Sequence, residues 1–240
     1  MKTFFIALIL TLPLTSSAFL LLDSNYRLAQ PKDTVVNIAG NTCPNQGVSN
    51  EVVRVAIETA IEDYWNTVTE STLHLKLGGV VNKTTLAEVA PGEILVGCSS
   101  TAGNGGVTNP DNSRGTSIIF LDAQVTNLGF DRVVGVVVHE LGHAIGLNHS
   151  GDPASVMTYD THGWGLRPEY LADDDKNGVI YLYPQEGQAS GLVPGCTTQA
   201  SKRGKSFDQI STGIIQELLG LFFVFFLFKI FQIVFFRRAK

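Results

Sequence analysis
The 240-residue sequence has no Gly-rich phosphate loop, no heptad repeat and no internal repeat. Those absences exclude a P-loop nucleotide site, a coiled coil and a solenoid. Basic residues are outnumbered, 17 Lys and Arg against 22 Asp and Glu, for a net charge of −5. That balance argues against a nucleic-acid partner. Cysteine is scarce: three residues, an odd number, allow at most one internal disulfide. Cys43 and Cys98 are the expected pair, since both fall inside the folded region, whereas Cys196 lies in a linker. There are only five histidines, yet three of them stand within residues 139–149.

That stretch reads His139-Glu140-Leu141-Gly142-His143-Ala144-Ile145-Gly146-Leu147-Asn148-His149, with Met157 a short loop later. His139 and His143 are four apart, so a helix sets them on one face, one turn apart, where two imidazoles can grip one metal ion. Glu140 lies on the same turn. Gly146 lets the chain leave the helix through a left-handed backbone, and His149 returns as a third ligand. Three neutral imidazoles with a fourth position open form the catalytic pattern for zinc. The expected chemistry is a zinc-bound water with its pKa lowered to about 7. Glu140 would act as general base toward that water and then as acid toward the leaving amine.

This motif followed by a Met-turn resembles the metzincin zinc endopeptidases, and within them the matrixins. Ser150 follows the third histidine directly, and only residues 150–156 separate His149 from Met157. Downstream, Leu171-Ala172-Asp173-Asp174-Asp175-Lys176-Asn177-Gly178-Val179-Ile180-Tyr181-Leu182-Tyr183 resembles the last matrixin helix. The resemblance runs from about Val48 to Pro184. It implies an α+β fold of the zincin type, a twisted mixed β-sheet with two long helices. A small C-terminal subdomain would carry the Met-turn and a last helix, with peptide substrate in the cleft between the two parts. It also implies protein or peptide substrates and a zinc-dependent endopeptidase. Met157 would form an apolar floor beneath the metal.

Three departures from that family stand out. Only His74 and His162 remain outside the motif, so the structural zinc of animal matrixins cannot be built in the same way. No segment matches the inhibitory cysteine motif of a matrixin pro-segment. Tyr159, two residues after Met157, resembles the tyrosine of astacins and serralysins. Here it reads as a pocket-wall residue rather than a fifth ligand. His74 sits in an alternating strand and His162 in a loop, and both read as exposed.

Both ends of the chain carry segments expected of an exported, membrane-anchored domain. Residues 1–18 read as a signal peptide, with Lys2, an apolar run and Ser16-Ser17-Ala18 before the cleavage point. Near the other end, residues 218–236 hold eight of the fourteen phenylalanines. At about 1.5 Å per residue this run nearly spans a hydrocarbon core of roughly 30 Å. Arg237, Arg238 and Lys240 follow as a basic stop. Lys229, in mid-run, costs on the order of 3 kcal/mol unless it snorkels. The expected organisation is a signal peptide (1–18), an N-terminal arm (19–47) and a catalytic domain (48–184). A flexible linker (185–212), a membrane helix (213–236) and a cytoplasmic tail (237–240) follow. The domain would be displayed on the extracytoplasmic side, periplasmic or at the cell surface, or secreted if the tail is removed.

Within the domain, residues 50–66 form an amphipathic helix with Val53, Ile57, Ala60, Ile61 and Tyr64 on one face. Residues 73–77, 93–98 and 117–121 read as strands. Residues 99–114, rich in Gly, Asn, Ser and Asp, have two readings. One is a surface loop. The other is a calcium loop with Asp111 and Asn109 as the nameable ligands, as similar matrixin loops hold calcium. Asp131 is the expected N-cap of the motif helix, whose Val133, Val134, Val136, Val137 and Val138 suit a buried position. The last helix starts near Ala172 with three aspartates favouring its positive end. Two other functions fit less well. An adhesion scaffold with a metzincin fold would have no use for Glu140, and the Met-turn leans away from a zinc hydrolase of non-peptide bonds.

Overall fold
The computed structural model describes residues 19–102, 105–159 and 167–185. Along the chain it builds β1 (Thr34–Ala39), α1 (Asn50–Glu62), β2 (Leu75–Val81), β3 (Glu93–Ser99) and β4 (Gly106–Asp111). Then come β5 (Thr116–Asp122), α2 (Phe130–Ala144) and α3 (Asp173–Leu182). The five strands form one sheet in the order β2-β1-β3-β5-β4. β1, β2, β3 and β5 run parallel, and β4 closes the edge antiparallel to β5. The α+β architecture with a mixed sheet is as the resemblance implied.

α1 begins on Ser49, whose hydroxyl accepts from the Val52 N–H, an N-cap that satisfies one orphan donor of the first turn. Regular helix stops at Glu62, and Trp65–Thr67 continues as a 3₁₀ turn. Trp65 donates its indole N–H to the Val138 carbonyl of α2, at 3.1 Å. The two helices share one core with the sheet. Ile38, Ile94, Val96, Ile119 and Leu121 meet Val53, Ile57, Ile61, Val134, Val137 and Leu141. The other side of the sheet buries Leu95 and Ile118 with Ala39 and Val89. Parallel strands covered on both faces read as continuous apolar runs, and Ile94, Leu95 and Val96 do so.

The expected arm at 19–47 is corrected. Residues 34–39 form β1, the strand between β2 and β3. Its TVVNIA run is buried on both faces and lacks the alternation that marks a half-exposed strand. Asn37, its polar interruption, accepts the Gly79 N–H at a register shift against β2. Cys43 and Cys98 form the expected disulfide, joining the chain after β1 to the neighbouring β3.

The 99–114 segment is not all loop, because β4 lies within it. Pro110 is tolerated there since β4 is an edge strand. Asp111 accepts from the Ser113 N–H and hydroxyl and from the Arg114 N–H and Nε, the last at 2.7 Å. Those donors hold its carboxyl well below the usual carboxylate range. The carboxylate closes the β4–β5 turn with Arg114 as counter-ion, and Asn109 is exposed.

The Asp131 cap is also corrected. α2 starts at Phe130 with Gly129 at the N-cap, and Asp131 lies in the first turn. A carboxylate there still favours the positive helix end. α3 begins at Asp173 after Ala172, as expected. His74 is exposed. The signal peptide (1–18), His162, Cys196, nearly all of the linker, the membrane helix (213–236) and the tail (237–240) lie outside the described residues. Among the described residues no helix is long and apolar enough to cross a membrane.

Candidate metal centre
Helix α2 presents His139, Glu140 and His143 from its last two turns, each no more than 9% exposed. Its valine-rich first half is buried against α1 and the sheet, so the two imidazoles stand on a fixed rod. The helix ends in a Schellman closure. The Gly146 N–H reaches the His143 carbonyl and the Leu147 N–H reaches the Gly142 carbonyl, with Gly146 at φ 109°. This is the turn that Gly146 was expected to make.

Two buried tyrosines satisfy carbonyls at that end. Tyr26 donates to Ala144, at 2.7 Å, and Tyr183 to Ile145, at 2.6 Å. The segment before Tyr26 then pairs with the turn itself. Leu22 N–H meets the Gly146 carbonyl and Asn148 N–H meets the Leu20 carbonyl, one residue before His149.

These constraints bring the three expected ligands together. The ligand nitrogens of His139, His143 and His149 all lie within 4.8 Å of one another. The Nδ1 of His139 is 2.8 Å from the Val156 carbonyl, and that of His143 is 2.8 Å from the Leu147 carbonyl. A carbonyl only accepts, so each Nδ1 carries the proton and each Nε2 keeps its lone pair. Such second contacts are what orient metal-ligating histidines. Burial, with His143 beside it, pushes His139 down to about 3, and burial pushes His143 down to about 4. His149 is lowered by burial as well. All three are therefore neutral imidazoles at pH 7, the form that binds metal. The donor set fits a zinc ion: three neutral nitrogens, a fixed tautomer on the two buried rings, and a carboxylate beside them.

Met157, 1% exposed, lies under the helix. A Cβ on Gly142 would stand 2.2 Å from its sulfur and 3.0 Å from the Trp65 ring, so a larger residue at the second variable position of the motif would have to displace Met157. The loop between His149 and Met157 closes on itself through the Ser150 N–H and the Met157 carbonyl, at 2.7 Å. Two aspartates of α3 then hold it. Asp174 accepts the Ser150 hydroxyl, and Asp175 accepts the Ser155 hydroxyl and the N–H groups of Val156 and Ala172. Tyr159 sets its ring edge-on to His149, centroids 4.7 Å apart, and remains 77% exposed.

Sequence reasoning named the three histidines, Glu140, Gly146 and Met157. It missed Tyr26, Tyr183, Gly142, and the tie from Asp174 and Asp175 to the loop. Ser150 and the final Leu182-Tyr183 were visible as family marks without a physical role. It also missed Thr108, whose hydroxyl stands 2.6 Å from Glu140 Oε2.

Glu140 itself is pushed up to about 7 by burial, with the Thr108 hydroxyl opposing. Its ordinary value is 4.5, so in the metal-free protein the folded state favours the protonated acid. The resulting stability is fully present below pH 4.5 and is lost as pH rises through about 7. Glu140→Gln removes that dependence. In chelator-treated protein the stability of the variant relative to wild type should rise by about 3 kcal/mol between pH 4.5 and 7, measured by urea unfolding. A difference that stays flat across that window contradicts the buried, raised carboxyl.

The matrixin family model matches residues 62–184, just over half of the chain. Among curated proteins, macrophage metalloelastase of Oryctolagus cuniculus is 38% identical over 80 residues, 32% of this chain. Metalloendoproteinase 2-MMP of Arabidopsis thaliana is 42% identical over 65 residues, 27% of this chain. Matrilysin of Homo sapiens is 48% identical over 46 residues, 19% of this chain. In each case the aligned stretch spans 17% of the relative's own length. The matched region takes in the motif helix, the Met-turn and α3, and on that match the chain belongs to the matrixin family.

Proposed function
We propose that this protein is a zinc-dependent endopeptidase that hydrolyses peptide bonds outside the cytoplasm. The observation that carries the reading is the convergence of His139, His143 and His149 beside the buried Glu140. When bound, zinc supplies Lewis acidity, polarising a carbonyl and acidifying water. His139, His143 and His149 would hold the ion. Glu140 takes a proton from the attacking water and delivers it to the departing amine. The relatives' names, metalloelastase and metalloendoproteinase, support the same class of reaction.

The Cys43–Cys98 disulfide supports an oxidising compartment. Tethering of the domain to a membrane through residues 213–236 rests on the apolar run in the sequence. A direct test is casein hydrolysis by the full-length chain. Dialysis against a zinc chelator should reduce it to background, and added zinc should restore it. Hydrolysis that survives complete metal removal rejects the reading.

A further inference from the structure
β4 is the outermost strand of the sheet, and its side chains alternate between two faces. Val107 and Asn109 are exposed. Gly106 and Thr108, two apart, face α2 at Glu140. A Cβ on Gly106 would stand 2.8 Å from Glu140 Cγ and 3.0 Å from Oε1, so the bare backbone at 106 gives the carboxylate room to lie against the strand. Thr108 Oγ1 is 2.6 Å from Glu140 Oε2 and 3.0 Å from the Glu140 carbonyl. The hydroxyl is the donor in both contacts, and Oε2 is the nearer acceptor. Among the described residues no donor reaches Oε1. That oxygen is left to take and return a proton.

We propose that Thr108 is a positioning residue for Glu140. Its hydroxyl pins one carboxylate oxygen against β4 and so fixes which oxygen exchanges protons with the attacking water. The proposal rests on the reading of Glu140 as the general base. A hydrogen bond to a charged group sets the orientation of the whole carboxylate, and a misplaced base loses rate before it loses substrate affinity. The neighbouring residue 106 reinforces the arrangement from the same face, as the position where a methyl group would drive the carboxylate away.

The test uses the full-length, zinc-loaded chain with a quenched-fluorescent peptide derived from casein. Thr108→Val keeps the shape and removes the hydroxyl; Thr108→Ser keeps the hydroxyl and removes the methyl. Thr108→Val should lower kcat by about tenfold, with KM within about twofold and zinc content unchanged. Thr108→Ser should stay within about threefold of wild type. A second readout needs no metal. In chelator-treated protein, Thr108→Val should shift the melting temperature in the wild-type background and much less in Glu140→Ala.

Wild-type kcat in Thr108→Val overturns the proposal. So does an equal loss in Thr108→Ser, a rise in KM alone, or additive melting shifts. If Glu140→Ala itself turns over at the wild-type rate, the assignment of the base fails instead. The metal-free melting cycle still reports the contact in that case.

Discussion
Glu140→Ala is expected to retain its zinc and to lose about 10²–10⁴-fold in kcat/KM, the span that general acid–base catalysis contributes. The two effects separate because, in the proposed reading, the carboxylate and the ligands do different work on one helix. His139 and His143 are held by the Val156 and Leu147 carbonyls, and neither contact involves Glu140. Removing the carboxylate also relieves a burial penalty, since this acid is held above its ordinary range by desolvation. The variant should therefore be at least as stable as the parent at pH 7 while being nearly inert. His149→Ala should behave in the opposite way. It deletes one of the three nitrogens that converge within 4.8 Å, so metal content and activity should fall together. Metal analysis beside peptide hydrolysis for both variants distinguishes a base from a ligand. A Glu140→Ala protein that cleaves peptide at the parental rate removes the catalytic assignment altogether.

The candidate metal centre is legible in the sequence because its determinants are local. His139, Glu140, His143 and Gly146 occupy one helix and its exit turn, and helical periodicity alone places them. His149 required only a turn of known geometry. The misses have the opposite character. β1 reads as an arm in the sequence because a strand covered on both faces has no period of two, and Asn37 breaks its apolar run. β4 reads as loop in the sequence because Gly106, Asn109 and Pro110 are turn-forming residues. At a sheet edge, with the neighbouring strand on one side only, the same residues are tolerated in a strand. Thr108 was lost with it, since its partner lies 32 residues along the chain and only the folding of β4 beside α2 joins them. Tyr26 is 118 residues from the Ala144 carbonyl it caps. No periodicity carries such a pairing. The Asp131 cap shows a smaller limit: a good capping residue was present, but the helix began one residue earlier, at Phe130, with Gly129 before it.

Asp175→Ala is expected to be the most damaging change outside the ligands, and the run Asp173-Asp174-Asp175 provides its own control. On sequence grounds all three carboxylates serve the positive end of α3 about equally. Their surroundings differ. The Asp173 side chain is 95% exposed, whereas Asp175 is 1% exposed. Truncating Asp175 strands the Ser155 hydroxyl and the N–H groups of Val156 and Ala172 in the interior. At about 1–3 kcal/mol for each buried donor left unpaired, with partial relaxation, the loss should reach about 3–5 kcal/mol. That is a large fraction of the roughly 5–15 kcal/mol that holds a domain folded. The damage should also reach the metal. Val156 gives its N–H to Asp175 and its carbonyl to His139, so one peptide transmits the position of α3 to the first ligand. Losing such a second contact typically costs 10–100-fold in metal affinity. Asp173→Ala should stay within about 0.5 kcal/mol of the parent and keep its zinc affinity. Urea unfolding and chelator competition on both variants decide between the two accounts. Equal, small losses at 173 and 175 would mean that α3 feels only the helix dipole. A loss confined to 175 means that the last helix is part of the scaffold that aims His139.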